Sequence, residues 1–352
     1  ECLEAEQHNH DQQNSCHEFI NLHHLLLDAN HVAAGGIKVS GVMGATIDAV
    51  FVTHFPYVGI QIDEGHEIMM SNCWLAEWYW KDDHQPGSCH KQHSIGIQIN
   101  GFDHYITNTI IFHCTKIGVQ IRGGANVLEG VHTWNGGGTG IEILNGSSQN
   151  RLIGCYLDWN SLDLYTPIQT LTVEFGFFLQ TGIRLIASND TLSDLSSSVK
   201  MSNVLIDGLI LRSNSYSIWD TTTGGGGKQQ QLQKQRRQPI EVIGQFPRKS
   251  IKNVQLTNDF YSNKATKVSK SSLKRNSTFW RFEFEDELLF PFIDRVVSYT
   301  VVPISRSTTT MSESSDDLTF FQHMLLPING TTVQVVTSIP IDATVHIVVE
   351  QG

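Results

Sequence analysis

A five-residue phrase built around glycine returns along the chain: GGIKV at 35–39, VGIQI at 58–62, IGIQI at 95–99, IGVQI at 117–121, TGIEI at 139–143 and TGIRL at 181–185. Its glycines, Gly36, Gly59, Gly96, Gly118, Gly140 and Gly182, are separated by 23, 37, 22, 22 and 42 residues. Self-similarity at a fixed period is the mark of a repeat architecture. The two long gaps read as one repeat plus an insertion, the first around 79–93 and the second around 160–178.

Between the phrases lies a second apolar run, as in "IDAVFVTHF", "ITNTIIFHC" and "IGCYLDWNS". Each repeat therefore holds two or three short strands of alternating apolar and polar residues, punctuated by Gly, Asn and Asp turns. Helical caps and a 3.6-residue period are absent. A period of 22–23 with strands this short predicts an all-β, single-stranded right-handed parallel β-helix, each repeat one rung stacked on the last. In the phrase, Ile and Val are expected to fill the core, Gly to allow a bend, and the polar residue to face outward.

Residues 1–276 are assigned to this helix, with a low-complexity loop at 221–239. From 277 the glycine phrase is gone, and "FWRFEFEDELLFPFIDRVVSYTVVP" and "TTVQVVTSIPIDATVHIVVE" alternate like antiparallel strands. Residues 277–352 are therefore expected to form a small C-terminal β-sandwich-like module. A charged fraction of only 17%, with 29 glycines, suits a turn-rich β protein.

The net charge of −11 is unevenly placed: residues 1–100 hold 13 Asp and Glu against 3 Lys, and 11 of the 16 His. Segment 248–275 is the reverse, with eight Lys and Arg against Asp259 alone. Such an acidic chain does not suit nucleic-acid binding, and no apolar run reaches the length of a membrane span. Six cysteines, Cys2, Cys16, Cys73, Cys89, Cys114 and Cys155, show no CxxC spacing, so neither a zinc site nor a redox pair is indicated. Sequons at Asn145, Asn189, Asn276 and Asn329 permit N-glycosylation of a secreted chain, whose signal peptide would lie outside this sequence.

Stacking lets side-chain columns be written from sequence, because residues in equal register on successive rungs lie about 4.8 Å apart. The polar position of the phrase gives Lys38, Gln61, Gln98, Gln120, Glu142 and Arg184, a solvated amide ladder or the floor of a groove. Four or more residues beyond the phrase, His66 is expected opposite Asp103, and Glu67 opposite His104, with Asn126 following. Carboxylate beside imidazole at one-rung spacing can make an acid/base pair, while the same residue types also cap tight turns. Five residues before the phrase the column runs through His54, Glu77, His113, Asn135 and Trp159, with Asp158 beside the last. The aromatic residues near it, Trp134 among them, could stack on sugar rings or fill the core. Asp82, Asp83, His84, His90 and His93 match no metal-ligand spacing and read as a solvated loop.

The stretches "DANHVAAGGIKV", "VGIQIDEGHEIMMSN", "GIQINGFDHYITNTIIF", "IGVQIRGGANVLEGVHTWN" and "NRLIGCYLDWN" resemble the plant quartet-type polygalacturonase-like proteins, which sit in the pectate lyase superfamily. The likeness covers most of 18–352, including the end of the chain. It implies a pectin-lyase-like β-helix, secreted to the extracellular space or cell wall, that hydrolyses galacturonan. The motif set of other polygalacturonases is not kept: Asn108-Thr109 is followed by Ile110, Gly65-His66 by Glu67, and no Arg-Ile-Lys occurs.

Asp103, Glu67 and Asp158 are accordingly the candidate catalytic carboxylates, with His66 and His104 tuning them. Glu77, His113, Arg122, His132, Trp134 and Trp159 are candidates for holding a polysaccharide. No cofactor is expected, except Ca²⁺ if the protein is instead a polysaccharide lyase. A third possibility is a non-catalytic glycan-binding wall protein that keeps only the scaffold.

Overall fold

A computed structural model describes residues 17–77, 94–112, 116–134, 139–179, 181–187, 199–212, 240–257, 264–304 and 321–351. The expected loop at 221–239, the whole 79–93 insertion, His113, and Cys2, Cys16, Cys89 and Cys114 lie outside them. The chain divides into one unit of residues 1–250 and 257–262 and a second of residues 251–256 and 263–352.

The first unit is a parallel β-helix with three faces. On the first face the phrase strands Gly35–Ser40, Val58–His66, Ile95–Phe102, Ile117–Gly124, Thr139–Ile143, Ser161–Tyr165, Ile183–Ile186 and Ile240–Ile243 pair in parallel, each with the next. The second face stacks Asn21–His23, Thr46–Asp48, Met69–Ser71, Tyr105–Thr107, Val127–Glu129, Ser148–Ile153, Ile168–Glu174 and Met201–Asp207. The third is an eight-stranded parallel sheet from Leu26–Asp28 to Ile210–Arg212. Along each phrase strand the two apolar residues point inward, and Ile60, Ile62, Ile97, Ile99, Val119, Ile121, Ile141 and Ile143 are all fully buried.

Two expectations are corrected. The 42-residue gap holds no insertion at 160–178 but a complete rung, formed by Ser161–Tyr165, Ile168–Glu174 and Phe177–Leu179. Its first strand, Ser-Leu-Asp-Leu-Tyr, has no glycine, because pairing skips one position between Thr139/Ser161 and Ile141/Leu162. The buried Asn160 side chain fills the space, with Oδ1 2.0 Å from where a Cβ on Gly140 would stand.

The phrase glycine itself is not a bend. Gly59, Gly118 and Gly140 are not among the residues with positive φ. They face inward, where an added Cβ would meet the next rung's carbonyl, at 2.7 Å for Gly59 and 2.5 Å for Gly118. Small size is what the position requires, because the first face runs close to the side chains of the third.

The short turns between the faces carry the left-handed residues. One corner stacks Glu67, Asp103, Ala125 and Gln149, all at φ near 56–61°. Another stacks Ala49, Asn72 and Asn108 at φ 44–53°, continued by Gly130 and Gly154. Asn suits these positions, since its side chain tolerates left-handed backbone and bonds locally.

In the second unit Lys267–Glu283, Thr332–Glu350, Arg295–Pro303 and His323–Leu325 form one four-stranded antiparallel sheet. Among the described residues this is a single sheet, packed on Trp280, Phe282, Phe284, Leu288 and Ile293. The expected boundary at 276/277 falls inside its first strand.

Candidate functional site

The outer side of the first face carries a hydrogen-bonded polar ladder. Gln98 donates to Gln120 at 2.8 Å and Gln120 to Glu142 at 2.7 Å. Next comes Asp163, which the sequence column missed because its rung lacks the phrase. Its fully buried carboxylate is clamped by Arg184 and accepts from Ser161 at 2.7 Å and Thr139 at 2.8 Å. Burial and the neighbouring Asp163 and Glu142 carboxylates push the Tyr165 hydroxyl up to about 12. Nearer the start, Asp63 accepts from Lys38 at 2.8 Å, Asn100 at 2.8 Å and Gln61 at 2.7 Å. Burial raises its pKa, but these donors outweigh that and hold it below the ordinary value. Arg122 is exposed and lies one rung beyond Asn100.

The same strands lead into the left-handed corner. A bulge sets His66 opposite Phe102, so the register expected there is shifted by one residue. Beyond it Met69 pairs with Tyr105, which sets Glu67 over Asp103 and Ile68 over His104. The shift leaves His66 within reach of Asp103, Nδ1 to Oδ2 at 3.1 Å, while its ring stacks on Phe102 at 6.2 Å. Glu67 and Asp103 are both exposed, one rung apart.

His104 turns the other way. Its ring is buried at 1% exposure, and Nδ1 accepts the Ile68 amide at 3.3 Å. Its own amide donates to Asn126 Oδ1, and the Asn126 amide donates to Asn150 Oδ1, both at 3.1 Å. Asn126 and Asn150 return bonds to the carbonyls of Gly101 and Gly123. His104 thus heads an internal asparagine ladder. Burial, and secondarily His66, lower its pKa to about 4, against a small opposing effect of Asp103.

Elsewhere the candidates separate. Glu77 is fully buried and accepts a hydrogen bond from Ser94. Register places Asp158 three rungs from Ala76, which precedes Glu77, so the two carboxylates do not form a pair. Trp159 is a 48% exposed left-handed corner residue. His132, Trp134 and Asp158 do meet, on the outer side of the third face, where His132 pairs with Tyr156 and Trp134 with Asp158. Burial lowers the His132 pKa; it raises that of Asp158 against an opposing hydrogen bond from Tyr156. Tyr156 was not singled out from sequence, although it stands two residues before Asp158, as His132 does before Trp134.

Three parallel faces wound from one chain, with a left-handed corner repeated rung on rung, define a parallel β-helix. The chain is 31% identical over 347 residues to polygalacturonase QRT3 of Arabidopsis thaliana. That match takes in 95% of this chain and 63% of the relative, so the chain spans less than two thirds of that protein's length. The likeness to the quartet-type polygalacturonase-like proteins thus runs through nearly the whole chain. No protein-family model matches it.

Among solved structures it is similar to the tailspike gp61 of Pseudomonas phage phi297, at 9% identity and a TM-score of 0.40, over 97% of this chain and 61% of that one. It is also similar to the Gp54 tailspike of Acinetobacter baumannii bacteriophage AP22, solved with a capsular saccharide, at 10% identity and a TM-score of 0.33, over 95% and 69%. Such superpositions are loose, and the fold rests on the strand pairing itself. Among the described residues, no helix is long and apolar enough to cross a membrane.

Proposed function

We propose that the chain is a secreted, carbohydrate-active β-helix protein that hydrolyses glycosidic bonds in pectin-like galacturonan. The observation that carries this reading is the 31% identity to a polygalacturonase along 95% of the chain. Extracellular action is supported by the same likeness and by exposed sequon asparagines at Asn145, Asn276 and Asn329.

The chemistry is assigned to the corner. Glu67 and Asp103 stand one rung apart at the corner, about 4.8 Å between backbones. His66 orients Asp103 through the 3.1 Å contact, and Asp103 serves as nucleophile or base. Glu67, with no hydrogen-bond partner among the described residues, protonates the leaving oxygen. Arg122 offers a cation to a uronate carboxylate, and the Gln61, Gln98 and Gln120 amides offer hydrogen bonds along the face. His104, inside the coil, holds the corner's shape.

The test is product release from polygalacturonate. Asp103→Asn should lower the rate at least 100-fold, and Glu67→Gln should remove the alkaline limb of the pH profile. Unchanged turnover in both variants would remove the corner from the reaction. The engagement of Asp63 and Asp163 with neighbouring cations favours a second reading, a non-catalytic glycan-binding face; binding without any product would support it.

A further inference from the structure

Two outward columns run side by side on the third face. One holds Phe51, Trp74, Ile110, His132, Tyr156 and Phe177; the other brings Phe112, Trp134 and Asp158 onto the rungs of Ile110, His132 and Tyr156. Rings meet rung after rung. Phe51 and Trp74 are 6.2 Å apart, Trp74 and Phe112 5.5 Å, Phe112 and Trp134 6.1 Å and nearly parallel, His132 and Tyr156 4.4 Å, and Tyr156 and Phe177 5.3 Å. At about 4.8 Å per rung the strip extends roughly 24 Å, the span of several sugar rings.

An aromatic column alone is compatible with plain packing. Two polar atoms within it are not explained that way. His132 Nε2 and Asp158 Oδ1 are both shielded from water and have no hydrogen-bond partner among the described residues. Buried polar atoms in native proteins are nearly always paired, so two orphans on adjacent rungs require a reason. Their residues are diagonal neighbours, about 8 Å apart from one rung step and two residues along the strand. Both side chains are half-buried, and both are flanked by aromatic rings.

We propose that His132, Trp134, Tyr156 and Asp158 form a sugar-binding subsite on the third face, where a pyranose stacks on the aromatic rings and its hydroxyls pair with His132 Nε2 and Asp158 Oδ1. The subsite rests on the glycan reading above and adds a surface separate from the corner. The ring set supplies flat apolar contact, and the Tyr156 hydroxyl is held by Asp158. Burial lowers the His132 pKa and so disfavours an imidazolium that would pair with a carboxylate. A carboxyl at Asp158 repels a second one. The ligand class is therefore an uncharged pyranose or a uronate whose carboxyl is esterified.

The test uses the full chain carrying Asp103→Asn, so that the probe is not consumed. Hexagalacturonate and its methyl ester are titrated while tryptophan fluorescence is followed. The ester should bind at least tenfold tighter than the free acid. Trp134→Leu and Asp158→Leu should each weaken ester binding at least tenfold, with melting curves confirming that both remain folded, and Asp158→Asn should narrow the preference for the ester. Equal affinity for acid and ester, or ester binding unaffected by both Leu variants, would overturn the subsite. Product release by the parent chain with unaffected variant binding removes the subsite and leaves the hydrolase reading intact. Loss of binding in the variants with no substrate cleaved leaves the subsite and removes hydrolysis.

Discussion

Replacing His104 by asparagine should leave the protein folded and remove a specific sensitivity to acid. The imidazole is buried as the head of the asparagine ladder, its Nδ1 accepting the Ile68 amide, and its pKa falls from 6.5 to about 4. The sign follows from linkage. Below pH 6.5 the unfolded chain takes up a proton at this site, and the folded chain does not until about pH 4, so stability drains away across that window. The full difference is about 3 kcal/mol, of which about 2 kcal/mol is lost by pH 5. Asparagine offers the same acceptor to Ile68 and does not titrate. Denaturant unfolding of both proteins at pH 7.5 and pH 5.0 isolates the effect, since every other group, including His66 and Asp103 beside it, is common to both. The gap between variant and parent should widen by about 2 kcal/mol in the variant's favour at pH 5, or about 3–4 °C in melting temperature. Parallel behaviour, with the gap changing by less than about 0.5 kcal/mol, would mean that His104 is already accessible to protons in the folded state and is not a ladder residue.

Gly118→Ala should cost more than 2 kcal/mol in unfolding experiments, since the new Cβ would stand 2.5 Å from the Gly140 carbonyl, whereas Ala at Gly146, with open space but a φ of +83°, should cost about 1 kcal/mol. Asp163→Asn strands the Arg184 guanidinium and should destabilise by about 3–5 kcal/mol, while Asp163→Leu combined with Arg184→Met should recover most of that loss. Cys73 and Cys155 are buried thiols, that of Cys155 pushed up to about 12 by burial, so thiol reagents at pH 8 should modify them only after unfolding, as intact-mass measurement would detect.

The core and its period were legible because inward apolar pairs such as Ile97 and Ile99 must recur at each rung. The Ser161–Tyr165 rung was not, since Leu162 and Leu164 keep the alternation while Asn160 takes over the space the phrase glycine leaves, and no glycine marks the start. The pairing of His66 with Asp103 was reached through a register one residue out. The bulge there moves the backbone, but both side chains are long enough to close a 3.1 Å contact. Whether His104 faced in or out could not be read, because histidine suits both an exposed turn and an amide ladder. Its position immediately after a left-handed residue, shared with Asn126 after Ala125, is the local signal that decides it. The third face hid Tyr156 and its neighbours for a different reason: an aromatic outward column has the same sequence pattern as an inward one.

The most direct measurement is mass-resolved product analysis of polygalacturonate incubated with the parent chain and with Asp103→Asn. Hydrolysis at the corner predicts saturated oligogalacturonides from the parent and at least 100-fold less from the variant. Unsaturated products absorbing in the near ultraviolet, or equal release by both proteins, would contradict it.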